Sequence, residues 1–107
     1  MVYANFVTLP DIVALEPMAA RLGVSVVARR STGFLGAYKR AGGNPAKLPE
    51  AWAVKRRNFI RRHVAGARAN NEPWFRDGEP TRRHLALIMW AYTPTPRRLA
   101  AGQNPSY

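Results

Sequence analysis

The sequence predicts a small, mostly α-helical single domain: a bundle of four to five short helices around a buried C-terminal helix at about residues 80–92. Three observations carry this expectation. The chain has 107 residues, enough for one core and too few for two, with three Trp, four Tyr and four Phe to fill it. Apolar residues recur at helical spacing in several stretches closed by Gly and Pro, whereas the strand evidence is confined to 2–7 and 24–28, which leave room for a minor strand pair. Cysteine is absent, so packing must hold the fold without disulfides, Cys-based zinc sites or iron–sulfur clusters. The domain is expected over 1–96, with 97–107 an extended or flexible tail.

Taken in order, "MVYANFV" has no clear period and reads as a short strand or an extended arm. Thr8 and Asp11 resemble a capping box around "LPDIVALEP", where Pro10 suits a first helical turn. Pro17 lacks a donor and clashes one turn back, which predicts a break near Glu16 and a second short helix, "PMAARL", ended by Gly23. "VSVVA", 24–28, fits a strand or a helical turn capped by Ser25 equally well. Ser31 and Thr32 are candidate caps for "GFLGAYKRA", which places Phe34, Leu35, Tyr38 and Ala41 on one face before Gly42–Gly43 stop it.

"GGNPAKLPE" is a loop by its turn residues, and Pro49 opens a helix to about Ala69 that Pro73 prevents from continuing. "WFRDGEP" reads as a second loop. Pro80 then opens the last helix, in which Leu85, Leu87, Ile88, Met89, Trp90 and Tyr92 point in every direction. A helix apolar all round belongs at the centre of a core.

Charge is the strongest functional signal. Seventeen Lys and Arg against six Asp and Glu give +11, and fourteen of the cations are Arg. Arg forks suit phosphate and carboxylate oxygens better than point charges do. The surplus is +3 over 1–45, +5 over 46–72 and +3 over 73–107, so it belongs to the folded body and not to a tail.

"WAVKRRNFIRRHVAGARAN", 52–70, concentrates it. At 100° per residue, Trp52, Phe59, Ile60, His63, Val64 and Ala67 share an arc of about 140°, which is the buried face. Lys55, Arg57, Arg61, Arg62 and Arg68 occupy the other side along roughly 30 Å. Such a stripe can follow a phosphate backbone or lie in a major groove, or it can be a solvated face. Arg56 falls inside the apolar arc with His63. These two are expected to form a structural polar pair, with Arg56 either reaching the edge or met inside by Glu50, Glu72, Asp77 or Glu79.

"DGEPTRRHLAL" brings Asp77, Glu79, Arg82, Arg83 and His84 to the start of the last helix, where Arg82 and Arg83 would extend the stripe. His63 and His84 with a carboxylate raise a metal site or an acid–base pair, but their spacing matches no metal motif. "MAARLGVS", 18–25, resembles the first helix and turn of the helix-turn-helix family through Ala19, Leu22 and Gly23, which implies a recognition helix after it. Arg29 and Gly33 depart from that pattern. No Gly-rich phosphate loop, nucleophile elbow or paired catalytic carboxylates appear.

The expected function is nucleic-acid binding, DNA or RNA, without enzymatic activity, cofactor or metal, through Lys55, Arg57, Arg61, Arg62, Arg68, Arg82 and Arg83. The rival is an interaction, inhibitor or structural protein, for example phage- or mobile-element-encoded, whose basic face docks an acidic protein. No membrane-spanning run or signal peptide is evident, so a cytoplasmic, nucleoid-associated or virion setting is expected. Self-association stays open.

Overall fold

A computed structural model describes residues 6–94 of the chain; the tail expected at 97–107, and residues 2–5 of the first proposed strand, lie outside them. The element order is α1 (Leu9–Leu22), α2 (Phe34–Arg40), a 3-10 turn (Pro45–Lys47), α3 (Glu50–Ala69), β1 (Phe75–Arg76), β2 (Glu79–Pro80) and α4 (Arg82–Ile88). No helix among the described residues is long and apolar enough to cross a membrane.

α1 runs unbroken through Pro17, correcting the expected break near Glu16. The carbonyl that Pro17 cannot engage belongs to Val13, which is 47% exposed, so the missing bond falls on the solvent side. Ile12 and Ala19, before and after the proline, are both fully buried and fasten the two halves to one core. Thr8 begins the helix with extended backbone but no side-chain cap. Gly23, at φ 67°, ends it: the amides of Gly23 and Val24 donate to the carbonyls of Ala20 and Ala19, a Schellman closure.

The following segment is neither strand nor helix. Residues 23–32 form successive turns, and the strand pair expected between 2–7 and 24–28 is absent from the described part; Phe6 instead bridges Tyr92. Local bonds win here: the Arg29 amide donates to Ser25, that of Arg30 to Val27, and the Arg29 Nε to Val24. Only Val24 and Ala28 of this stretch are buried, too few for a paired strand. The N-cap of α2 is Gly33, with no side-chain cap, correcting the expected Ser31 and Thr32 caps. The turns lie directly on it, since a Cβ at Gly33 would stand 2.2 Å from the Val27 carbonyl oxygen, and one at Gly36 2.1 Å from that of Ser31.

α3 spans the expected length, with Pro49 as its N-cap and Asn71, at φ 54°, just past its end. The stretch expected as a loop holds a hairpin, in which β1 pairs antiparallel with β2 through Phe75–Pro80 and Arg76–Glu79. Asp77 and Gly78 turn it with positive φ at both positions, the geometry of a type I′ turn. Thr81 caps α4, accepting from the His84 amide.

α4 is central, as its sequence requires: Leu85, Leu87, Ile88 and Met89 are fully buried, and Leu85, Ile88 and Met89 share one core cluster with Ile12, Phe34, Leu35 and Tyr38. α1 and α3 both pack on it. It is shorter than 80–92, however, because the chain turns at Ile88 to present the carbonyls of Trp90 and Ala91 to α3. There the buried Arg56 takes both, Nε donating to Trp90 at 2.8 Å and one terminal nitrogen to Ala91 at 2.9 Å. Its guanidinium lies 3.6 Å from the Phe6 ring centroid. No carboxylate meets it among the described residues, whose ion pairs are Lys39–Glu16 and Arg83–Glu72; the expected acidic partner is replaced by backbone and ring. Nor does Arg56 pair with His63, which stacks on Phe59 at 3.9 Å.

Burial pulls the Arg56 pKa down to about 10, with Tyr38 and Tyr92 acting the other way, so it remains a cation at neutral pH. Two bonds to carbonyls from a buried charge are worth about 1.5–3 kcal/mol each in similar settings. A lysine reaches one of them at best. Arg56→Lys should therefore lower stability by about 2–4 kcal/mol in urea denaturation, and a loss below about 1 kcal/mol would show that the fork does not hold α3 to the end of α4.

Candidate nucleic-acid interface

α3 sorts its side chains by angle. Inward lie Arg56 and Ala67, both buried, with Trp52, Phe59, Ile60, His63 and Val64 partly covered; outward, Lys55, Arg57, Arg61, Arg62 and Arg68 are all exposed. At about 100° per residue the five outward cations fall into two rows. Arg57, Arg61 and Arg68 lie within about 40° of one another, and Lys55 and Arg62 within about 20°, the rows flanking a strip of Ala51, Val54, Asn58, Ala65 and Ala69. Arg61 donates to the Asn58 side chain at 2.9 Å, and the Lys55 ammonium sits 4.9 Å from the Trp52 ring centroid. Among the described residues none of the five is in an ion pair.

Of the six carboxylates only Glu50 lies on α3, in line with the Arg57 row and seven residues before Arg57; the other five lie on other segments. Glu50 begins α3, Glu16 pairs with Lys39 at 3.0 Å, and Asp11 and Glu79 border a groove of about 290 Å³ between α1 and the hairpin, beside Leu15, Met18 and Phe75. The charges are thus segregated, with the acids mostly away from the outer face of α3.

Arg82 and Arg83 differ from the stripe. Arg82 is exposed and donates to the Leu22 carbonyl. Arg83 is half-buried and engages Glu72 through two bonds, of 3.3 and 2.8 Å. It lies over Gly66, where a Cβ would stand 3.3 Å from both terminal nitrogens. Bonding to Arg83 holds the Glu72 carboxyl below its ordinary range and raises Arg83 in turn. Arg83 is therefore anchored on Glu72 through two of its three nitrogens, whereas Arg82 adds to the positive surface.

The two histidines take separate structural places. His63 is half-buried with Nδ1 enclosed and without a hydrogen-bond partner. Burial, then Arg83 and Arg62, depress its pKa, against the Phe59 carbonyl, which favours the protonated ring. His84 is fully buried, its Nδ1 2.8 Å from the Trp74 carbonyl and its Nε2 2.8 Å from the Thr93 hydroxyl. A carbonyl only accepts, so Nδ1 carries the proton and Nε2 accepts from Thr93. With both nitrogens engaged, His84 is not placed as half of an acid–base pair. Among the described residues no three His, Asp or Glu gather where a metal ion could sit.

The helix-turn-helix resemblance also ends at its turn. After Gly23 the residues that would form a recognition helix are turns, and the next helix starts only at Phe34. Sequence reasoning missed the grouping of Ser25, His63, Glu72, Arg82 and Arg83 around one cleft. Four separate segments bring them together, the turns after α1, α3, the loop that follows it and α4, and no linear spacing announces it.

Burial moves the His84 pKa from 6.5 to about 4. The unfolded chain then binds a proton that the folded chain refuses, so stability is complete above pH 6.5 and falls as pH drops towards 4. The loss across that window should be about 3 kcal/mol. Urea denaturation between pH 7 and 4 should show it, and His84→Gln should flatten it; a wild-type profile already flat there would contradict the assignment. No protein-family model matches the chain, and no curated protein or solved structure matches it either.

Proposed function

We propose that the protein binds nucleic acid without reacting on it, by setting the outer face of α3 against a duplex. The observation that carries this reading is the pair of exposed cationic rows on one helix, without carboxylate partners among the described residues, in a chain of net charge +11. A helix of 20 residues extends about 30 Å. Its diameter suits the major groove of B-form DNA, which is about 12 Å wide. In that pose the strip of Ala51, Val54, Asn58, Ala65 and Ala69 faces the base edges, its small side chains permitting close approach. The row Arg57, Arg61 and Arg68 meets the phosphates of one strand, and Lys55 and Arg62 those of the other. Asn58 is the one side chain of the strip with the donor and acceptor pattern that reads adenine. The deep, narrow major groove of A-form RNA excludes the same pose, which favours duplex DNA over duplex RNA.

Five phosphate contacts correspond to a log–log salt slope of about −4.5, or an affinity loss of about 500-fold between 50 and 200 mM salt. The variant carrying Arg57→Gln, Arg61→Gln and Arg68→Gln should retain a slope of about −1.8 and lose only about tenfold over the same range. Fluorescence anisotropy with random duplex DNA, single-stranded DNA and RNA measures this. Unchanged affinity and slope in the variant would sink the proposal. Failure to bind all three nucleic acids at low salt would reassign the face to an acidic protein surface.

A further inference from the structure

A second convergence of positive charge lies off the Arg57 row. The loop after α1, the middle of α3 and the start of α4 border an open surface cleft of about 420 Å³, lined by Ser25, His63, Arg82 and Arg83, with Glu72 the one carboxylate of its wall. That volume falls within the range of small-molecule sites and exceeds a lone phosphate group.

Its cationic groups are held in place by the fold. Gly23 and Ser25, at φ 67° and 55°, turn the chain to bring Ser25 to the cleft. Arg82 is anchored by one terminal nitrogen on the Leu22 carbonyl. Arg83 spends its Nε and one terminal nitrogen on Glu72 and lies against Gly66, where a Cβ would be crowded. Each guanidinium keeps a terminal nitrogen that these bonds do not use, so a ligand would find the forks already oriented. His63 borders the same space and responds to the charges around it, Arg62 from its own helix and Arg83 from α4. Two guanidiniums against one carboxylate leave the wall positive, and the several acceptor oxygens of a phosphate can meet the terminal nitrogens of both forks together with Ser25 and His63, where a carboxylate has two oxygens to offer.

We propose that this cleft binds a phosphate monoester, either free as a nucleotide or at the end of a nucleic-acid strand, through Arg82 and Arg83 with Ser25 and His63 completing the ring of donors. The site is separate from the Arg57, Arg61 and Arg68 row, which lies across α3 from Gly66 and His63, so the two readings can fail independently.

The chain has two histidines, which makes histidine side-chain NMR a local reporter, His84 serving as the internal reference. Inorganic phosphate, against chloride at matched ionic strength, should shift His63 saturably and raise its titration midpoint by about one unit. Arg82→Gln should weaken the response about tenfold or more, and Glu72→Gln should tighten it several-fold by removing the competing carboxylate. The variant carrying Arg57→Gln, Arg61→Gln and Arg68→Gln should respond like the native chain. A His63 response no larger than with chloride, no effect of Arg82→Gln, or loss of the response in the triple variant would each overturn the proposal. A nucleoside 5′-monophosphate and a short oligonucleotide with and without a 5′-phosphate separate the sources. A response to the free nucleotide alone assigns the first, and one to the 5′-phosphorylated strand but not its 5′-hydroxyl counterpart assigns the second. Silence towards both phosphorylated probes overturns the site.

Discussion

A guanidinium inside an apolar core has to satisfy its donors or it destabilises everything around it, and Arg56 satisfies them by dictating where α4 stops. The carbonyls of Trp90 and Ala91 turn out of helical register to accept from it. The same Ala91 carbonyl accepts from the Val7 amide at 2.9 Å, which ties the first described segment to the last beside the Phe6–Tyr92 bridge. Phe6 then closes the remaining face of the cation. One side chain therefore joins α3, the end of α4 and the entry to α1, in a core where Trp90 also stacks between Phe34 at 4.9 Å and Phe59 at 4.6 Å.

That constraint also sets the outer face. With Arg56 fixed inward, α3 has one rotation, and Arg57, one position on, is carried about 100° towards solvent. The same division recurs at Arg82, exposed, and Arg83, folded over Gly66 onto Glu72. Sequence neighbours of one residue type thus differ in burial: Arg56 and Arg83 are folded against the protein, whereas Arg57 and Arg82 stay exposed, Arg82 with one bond to the Leu22 carbonyl.

The division along α3 was legible in the sequence because helical angle follows from local hydrogen bonding and needs no tertiary partner. The centrality of the last helix was legible for the same reason, since no orientation could expose Leu85, Leu87, Ile88 and Met89 less than burial on every side. What was not legible depended on partners distant in the chain. Pro17 is tolerated because Ile12 and Ala19 are both seated in the core, a fact of packing. Arg56 was expected to find a carboxylate, but backbone carbonyls freed by a helix end serve as well, and no sequence pattern announces them. The hairpin had its signal in Asp77–Gly78, yet strands of two residues carry no period. Residues 23–33 settled into turns because Gly33 and Gly36 allow the backbone to lie on α2, a contact that only the assembled elements reveal.

The cationic rows also stand on α3 at little cost, and this bears on what they are for. Like charges on a helix repel mainly at three or four residues' separation, by about 0.2–0.5 kcal/mol per pair, and among the five only Arg57 and Arg61 are so placed. Arg61 and Arg68, like Lys55 and Arg62, are seven residues apart, about 10.5 Å along the axis, which is close to the screening length of about 10 Å in 0.1 M salt. The helix therefore needs no acidic neighbours to hold these charges, and the carboxylates are free to serve elsewhere, Glu16 on Lys39 and Glu72 on Arg83. Under the function proposed above, an outside polyanion would therefore meet cations that have no internal ion pair to break first among the described residues.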